Sequence, residues 1–182
     1  MMPNQKLIDH GKQFPKEVTD LAPGIWGATG FAASNMYVVE GSSSLSVIDT
    51  TESTKAAENI LAELRKLTDK PVGRIIYTHS HRDHISGATV FSEGRDVPIL
   101  ASARFSSDLV GVDETAISPN KALGRRTMMQ FGIGLTPAER ISLGCGPGDR
   151  PMEGMGAGHI APTELIEGNR SIDLDGVAAE LI

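Results

Sequence analysis

The chain has little cysteine, few aromatic residues and no excess of positive charge. Of its 182 residues one is cysteine, Cys145, and 4% are aromatic. A single cysteine excludes an intramolecular disulfide and a zinc site built from several cysteines, so any transition-metal site must use His, Asp and Glu. The net charge of −6 and the scarcity of aromatic rings argue against nucleic-acid binding, which relies on clustered Lys and Arg and on base stacking.

Long apolar runs are also missing. No stretch reaches the roughly 20 apolar residues of a membrane-spanning helix, and the polar first 20 residues lack the apolar core of a signal peptide. We therefore expect no membrane span and a cytoplasmic protein, with a periplasmic or secreted location as the alternative if a leader precedes this sequence. The length and the 40% hydrophobic content predict a solvated lead-in over residues 1–20 and one folded domain over residues 21–182.

The hydrophobic pattern predicts a layered α/β domain. A helix with one apolar face, capped by Thr51 or Ser53, stands between two strand-like segments, and this order implies a parallel pair of strands. Strands are expected over residues 25–29, 35–40, 45–49, 73–78, 97–101, 171–174 and 177–182, and helices over residues 53–67, 85–91, 102–110 and 121–135. Residues 144–158 read as a Gly-rich loop. Core positions are expected for Trp26, Phe31, Met128, Met129, Met152 and Met155, with the lining of a channel for an alkyl chain as the alternative for the four methionines.

Histidines concentrate in one segment that follows the predicted buried strand. His79, His81 and His84 lie within six residues, with Asp83 among them. Imidazole and carboxylate suit Zn, Fe or Mn, and the carboxyl end of a strand is where α/β sheets usually bind ligands. We therefore expect these four residues to bind two ions that share and activate a water, with Asp83 also a catalytic residue. Arg82 is expected to turn outward; a polar loop with coincidental histidines is the alternative.

The H-x-H-x-D-H spacing of these four residues resembles the signature of the metallo-β-lactamase superfamily. The strand–turn–strand that leads to Asp49 is similar to the usual lead-in of that family. The resemblance implies the family's αββα sandwich and a dinuclear zinc site, with only the N-terminal portion of that fold in this sequence. It implies no particular substrate, because lactamases, thioesterases, lactonases, nucleases and sulfatases share the motif.

Further segments resemble the alkylsulfatase branch of that superfamily. They are Asn35-Met36, the Gly-rich loop from Gly144, and residues 47–50, 68–72, 120–126, 130–132 and 160–163. The resemblance implies a zinc-dependent hydrolase that removes sulfate from small primary alkyl sulfate esters by attack of metal-activated water. It also implies that Asn120 and Arg125 or Arg126 line the substrate channel, although exposed helical arginines are the alternative.

The resemblance further implies metal ligands that this sequence lacks. In that family, later acidic residues and another histidine complete the site, and a dimerisation domain and a C-terminal domain follow. Only His159 follows His84 here, so the quartet gives at most two protein ligands per ion, where catalytic zinc generally has three. We accordingly expect either a fragment of a longer protein or a truncated gene product. Its metal site would be incomplete, and an uncovered sheet face would favour homo-oligomers or aggregation.

Two other functions stay open from the sequence. One is a different hydrolase of the same superfamily, acting on a thioester or a lactone. The other is a non-catalytic remnant that binds metal poorly and serves as an interaction module. A nucleotide-phosphate site is not favoured, because the glycine patterns over residues 24–30 and 144–148 lack the strand, helix and Lys context that such loops require.

Overall fold

One mixed sheet of seven strands organises the molecule. The computed structural model describes residues 4–105, 124, 126, 128–136, 139–143 and 146–182. Its elements are α1 (Gln5–Gly11), β1 (Glu17–Ala22), β2 (Ile25–Thr29), β3 (Met36–Glu40), β4 (Leu45–Ile48), α2 (Thr54–Leu64), β5 (Val72–Ile76), α3 (Arg82–Ile85), α4 (Ala88–Ser92), β6 (Ile99–Ser102), β7 (Glu164–Ile166), β8 (Arg170–Asp173) and β9 (Ala178–Leu181). The sheet runs in the order β1 to β7, antiparallel up to β4 and parallel from β4 to β7. The expected α/β class is confirmed.

The unit β4–α2–β5 forms as the hydrophobic period predicts. Helix α2 buries Ala56, Ala57, Ile60 and Leu64. The hydroxyl of Ser53 accepts the N–H of Ala56 at 3.1 Å, which satisfies one of the free N–H groups at the start of the helix. Because β4 and β5 are parallel, the carboxyl ends of both strands lie at the same edge of the sheet.

The sheet has two apolar faces. One packs against α2 and α4 and includes the expected core residues Trp26 and Phe31. The other face is covered by the hairpin β8–β9; its buried residues are Val39, Ile76, Leu100, Ile166 and Leu174. A cavity of about 600 Å³ remains between this face and the hairpin, so the second face is only partly covered by the described residues.

The carboxylate of Asp175 ties the hairpin to the β3–β4 turn. Its Oδ2 accepts the N–H of Ser43 at 2.6 Å and the N–H of Ser44 at 2.8 Å. These bonds join two turns that lie more than 130 residues apart in sequence.

Several elements differ from the sequence predictions. Strands β1 and β7 were not predicted, because β1 is a mostly exposed edge strand without apolar alternation and β7 has three residues. The helix expected over residues 85–91 is instead α3 and α4, which are separated at Gly87. Residue 102 ends β6 rather than beginning a helix, and residues 106–110 lie outside the described residues.

The second half of the chain departs from its predicted packing. Residues 124, 126 and 128–130 are helical, as expected within the predicted helix over residues 121–135, whereas residues 131–134 form turns. The expectation that the methionines are core residues is wrong for four of them: Met128, Met129, Met152 and Met155 are 47–82% exposed. No helix within the described ranges is long and apolar enough to cross a bilayer.

Candidate metal centre

The four expected ligands lie at the sheet edge where β4 and β5 both end. The chain leaves β5 at Ile76 and reaches His79 three residues later. It then turns into the short helix α3, with His81 at its N-cap and Asp83 and His84 in its single turn. This turn folds the end of the segment back over its beginning.

The side chains of the quartet cluster at this edge. The ring centroid of His79 lies 4.6 Å from that of His81 and 4.1 Å from that of His84. The Nε2 atom of His84 lies 3.4 Å from Oδ2 of Asp83. His79 and His81 are exposed and the other two are partly buried, so solvent reaches the cluster. Arg82 is exposed, as expected.

Asp49, the residue after β4, holds the cluster in place through hydrogen bonds with Thr78 and His84. It is 4% exposed. Its Oδ1 accepts the N–H of Thr78 at 2.8 Å, and its Oδ2 lies 2.8 Å from the Thr78 hydroxyl and 2.7 Å from Nδ1 of His84. Because a carboxylate only accepts, Nδ1 of His84 carries the proton, and Nε2 is left facing Asp83. In the sequence Asp49 stands out only as the end of a predicted strand. Its position at the end of a strand expected to run parallel to β5 was the signal that could have revealed its role.

These contacts shift the proton affinities of the cluster. Burial lowers the pKa of His84, but the hydrogen bonds to Asp49 and Asp83 outweigh it and raise that pKa to about 9. The hydrogen bond from His84 lowers the pKa of Asp83 below its ordinary value of 3.8. Burial and the neighbouring His84 and His81 lower the pKa of His79. In the metal-free protein the imidazole of His79 therefore loses its proton more readily than that of His84.

The backbone of Thr50 and Thr51, just after β4, is hydrogen-bonded to the end of the segment that carries the four expected ligands. The N–H of Thr50 donates to the carbonyl of His84 at 2.6 Å, and the N–H of Ser86 donates to the carbonyl of Thr51 at 2.9 Å. Gly87 lies so close that an added Cβ would be 2.1 Å from the Thr50 carbonyl oxygen. Residues 84–87, which include the last expected ligand, thus pack directly on the residues that follow β4.

The Gly-rich loop lies over the same segment. The N–H of Gly156 donates to the carbonyl of Glu52 at 3.1 Å, and Gly158 donates to the carbonyl of Ser86 at 3.0 Å. The Ser53 hydroxyl donates to the carbonyl of Pro151 at 3.0 Å. These contacts join the loop to the start of α2 and to the end of α3.

His159, the last histidine in the sequence, packs beside the strand that carries the loop. Its ring centroid lies 6.1 Å from that of Tyr77, which stacks on Phe105. Its Nδ1 is buried without a hydrogen-bond partner among the described residues, and burial lowers the pKa of His159. It is therefore placed as part of an aromatic stack.

One pair of donors has the spacing of two ligands on a zinc ion. Among the residues that the structure describes, no group of three or more His, Cys, Asp or Glu side chains is placed to hold one metal ion. Two ligands of a tetrahedral zinc, each about 2.0–2.2 Å from the ion, are about 3.4 Å apart. Oδ2 of Asp83 and Nε2 of His84 have this separation. This spacing fits two ligands on one ion, and the described residues place no third donor with them.

The expected substrate-channel residues are only partly visible. Asn120 and Arg125 lie outside the described residues. Arg126 is at an exposed helical position. The sulfate-binding role of all three stays a prediction.

Comparison with known proteins decides the family. The family model described as metallo-beta-lactamase superfamily matches residues 29–111, which include the whole quartet. The chain belongs to the metallo-β-lactamase superfamily.

Within the metallo-β-lactamase superfamily the curated relatives are sulfatases. The chain is 36% identical over 149 residues to the alkyl/aryl-sulfatase BDS1 of Saccharomyces cerevisiae, covering 79% of this chain and 22% of the relative. It is 30% identical over 150 residues to a linear primary-alkylsulfatase of a Pseudomonas species, covering 80% and 28%. The chain thus spans about a quarter of the length of these relatives.

Solved structures show the same likeness at the level of the fold. A double mutant of the sec-alkyl sulfatase PisA1 superposes with a TM-score of 0.71 at 25% identity, covering 98% of this chain and 29% of that one. A metallo-beta-lactamase from Pontibacter korlensis superposes with a TM-score of 0.53 at 15% identity, covering 90% of this chain and 58% of that one. Together with the family match, these superpositions confirm the expected fold family.

Proposed function

We propose that this chain is the metal-binding part of a zinc-dependent hydrolase of alkyl sulfate esters, with primary alkyl sulfates as substrates. The observation that carries the proposal is the clustering of His79, His81, Asp83 and His84 at one sheet edge in a chain whose curated relatives are named alkylsulfatases. In the reaction, water and the sulfate ester give an alcohol and hydrogen sulfate.

We assign the four ligands to two zinc ions. His79 and His81 would hold one ion, and Asp83 and His84 would hold the other. Bound zinc supplies Lewis acidity and lowers the pKa of its water to near 7. These four residues would give two protein ligands per ion, and because catalytic zinc generally has three, each site would need a ligand from another group.

The residues of this chain prepare the ligands for that role. Asp49 holds the Nδ1 proton of His84, so Nε2 is the nitrogen that would bind a cation, in place of the proton that the raised pKa keeps there in the metal-free protein. Asp83 stays ionised, because its pKa is lowered, and its carboxylate accepts a hydrogen bond from the attacking water. Asn120 and either Arg125 or Arg126 bind the sulfate oxygens, to which a guanidinium donates two parallel hydrogen bonds.

Zinc content is the direct test on this chain. The purified protein should hold zinc after dialysis. His79→Ala and Asp83→Ala should each reduce the zinc content by about one ion per chain. His10→Ala, which removes an exposed histidine at the end of α1, is the matched control. Unchanged zinc content in the two ligand variants would contradict the assignment.

Substrate choice is tested on the longest natural protein that contains this chain. Release of sulfate from dodecyl sulfate is compared with cleavage of a thioester and of a lactone under the same conditions. The proposal predicts hydrolysis of the sulfate ester. Cleavage of the thioester or lactone alone would favour another hydrolase of the superfamily, and no hydrolysis of any of the three by a zinc-loaded protein would favour a non-catalytic role.

A further inference from the structure

A buried ion pair connects the Gly-rich loop to the start of α2. Glu52 and Arg150 are 98 residues apart in sequence, and their side chains are 2% and 10% exposed. The guanidinium donates to both carboxylate oxygens of Glu52, through Nε to Oε1 and through Nη2 to Oε2 at 3.1 Å. The pair is therefore bidentate and almost shielded from water, the arrangement in which such pairs are geometrically most specific.

The same carboxylate holds the loop between β2 and β3. Oε1 of Glu52 accepts the N–H of Ala33 at 3.0 Å. The next residue, Ser34, is 9% exposed, and its hydroxyl donates to the carbonyl of Asp83. Hydrogen bonds thus link Arg150 to Glu52, Glu52 to Ala33, and Ser34, the chain neighbour of Ala33, to the backbone of an expected metal ligand.

Burial makes this path rigid and costly to break. A carboxylate on a side chain that is only 2% exposed needs its full set of donors, and removing one partner of a buried pair leaves the other charge uncompensated. Neither Glu52 nor Arg150 belongs to the quartet, and neither was singled out from the sequence, because the contact joins residues far apart in the chain. Its one consequence at the metal centre is to fix the position of the Asp83 carbonyl.

We propose that Glu52 and Arg150 are positioning residues of the metal centre, which hold the Asp83–His84 turn in its ligand-ready form through Ala33 and Ser34. The zinc part of this inference rests on the proposed function. The pair touches neither substrate nor ion. Its effect is on the population of the ordered loop and, through it, on zinc affinity.

The test compares Glu52→Gln with Glu93→Gln. Glu93 forms a bidentate pair with Arg65 at the far end of α2, so its loss is a matched control without a path to the quartet. Hydrogen exchange of the His84 and Ser86 amides is measured in the metal-free full chain, and zinc affinity by titration. Glu52→Gln should speed exchange at both amides relative to amides of β2 and β3 and weaken zinc binding by about tenfold, the scale of outer-partner effects at metal sites.

Ser34→Ala keeps the test decisive if Glu52→Gln fails to fold. It removes one hydroxyl, leaves the ion pair in place, and should change exchange and zinc affinity in the same direction by a smaller factor. A general loss of stability, with exchange at His84 and Ser86 rising no more than in β2 and β3 and zinc affinity equal to that of Glu93→Gln, would overturn the inference. If the unaltered chain binds no zinc, the proposed function fails, and the exchange result alone decides this one.

Discussion

Replacement of Asp49 by asparagine should lower the pKa of His84 in the metal-free protein. The pKa of His84 is raised from 6.5 to about 9, and its side chain is 21% exposed. At about 1.4 kcal/mol per pKa unit, this shift corresponds to about 3 kcal/mol of preference for the protonated form. Asp49 makes the shorter of the two carboxylate contacts, 2.7 Å against 3.4 Å for Asp83. We therefore expect Asp49→Asn to remove at least about one unit, or about 1.4 kcal/mol.

The sign of the stability effect follows from the raised pKa. Between pH 6.5 and about 9 the folded protein binds a proton at His84 that the unfolded chain has lost, so stability falls as pH rises through this window. The contribution is complete below pH 6.5. Asp49→Asn should make this part of the pH dependence smaller and end it at lower pH.

The assay is an NMR titration of the His84 ring in the presence of a chelator, with urea unfolding at the two ends of the window. Asp20→Asn, which removes an exposed carboxylate on β1, serves as the control and should leave the titration unchanged. The reasoning is refuted if His84 titrates near 6.5 in the unaltered protein, or if its pKa is the same after Asp49→Asn.

Three further predictions concern the scaffold. Gly87→Ala should destabilise the protein by about 1–3 kcal/mol because the new methyl meets the Thr50 carbonyl, whereas Gly134→Ala, with open space around it, should be near neutral in urea unfolding. Hydrogen bonds from the β3–β4 turn lower the pKa of Asp175 below its ordinary value of 3.8. Its contribution to stability is therefore present above pH 3.8 and is lost as the pH falls below that value. Asp175→Asn should abolish this loss of stability at acid pH, as measured by melting at a series of pH values. The cavity beside β8–β9 should promote association, seen as a concentration-dependent sedimentation coefficient; a monodisperse monomer with a concentration-independent melting transition would contradict it.

Local patterns were enough to predict the elements that carry the site. The period of α2 and the apolar runs of β4 and β5 each depend on residues close in sequence, and burial of one face is what the pattern records. The quartet could be recognised in the sequence for the same reason, since its four ligand-type residues lie within six positions of one another. The structure confirms α2 and the parallel pairing of β4 with β5, whereas the metal-binding role of the quartet stays a prediction.

Contacts between distant segments were not predictable in this way. The role of Asp49 depends on the parallel pairing that brings the end of β4 beside the end of β5. The pairing of Glu52 with Arg150 joins positions 98 residues apart, and each looks like an ordinary surface charge in sequence. Strand β1 escaped prediction because an exposed edge strand has no apolar alternation to detect.

The central claim is that the segment from His79 to His84 binds divalent cations. Its most direct test is elemental analysis of the zinc-equilibrated chain before and after replacing His79, His81, Asp83 and His84 together with alanine. The account predicts that bound zinc is present in the unaltered protein and lost in the quadruple variant, with folding of the rest verified by circular dichroism. Equal zinc content in the two proteins would contradict it.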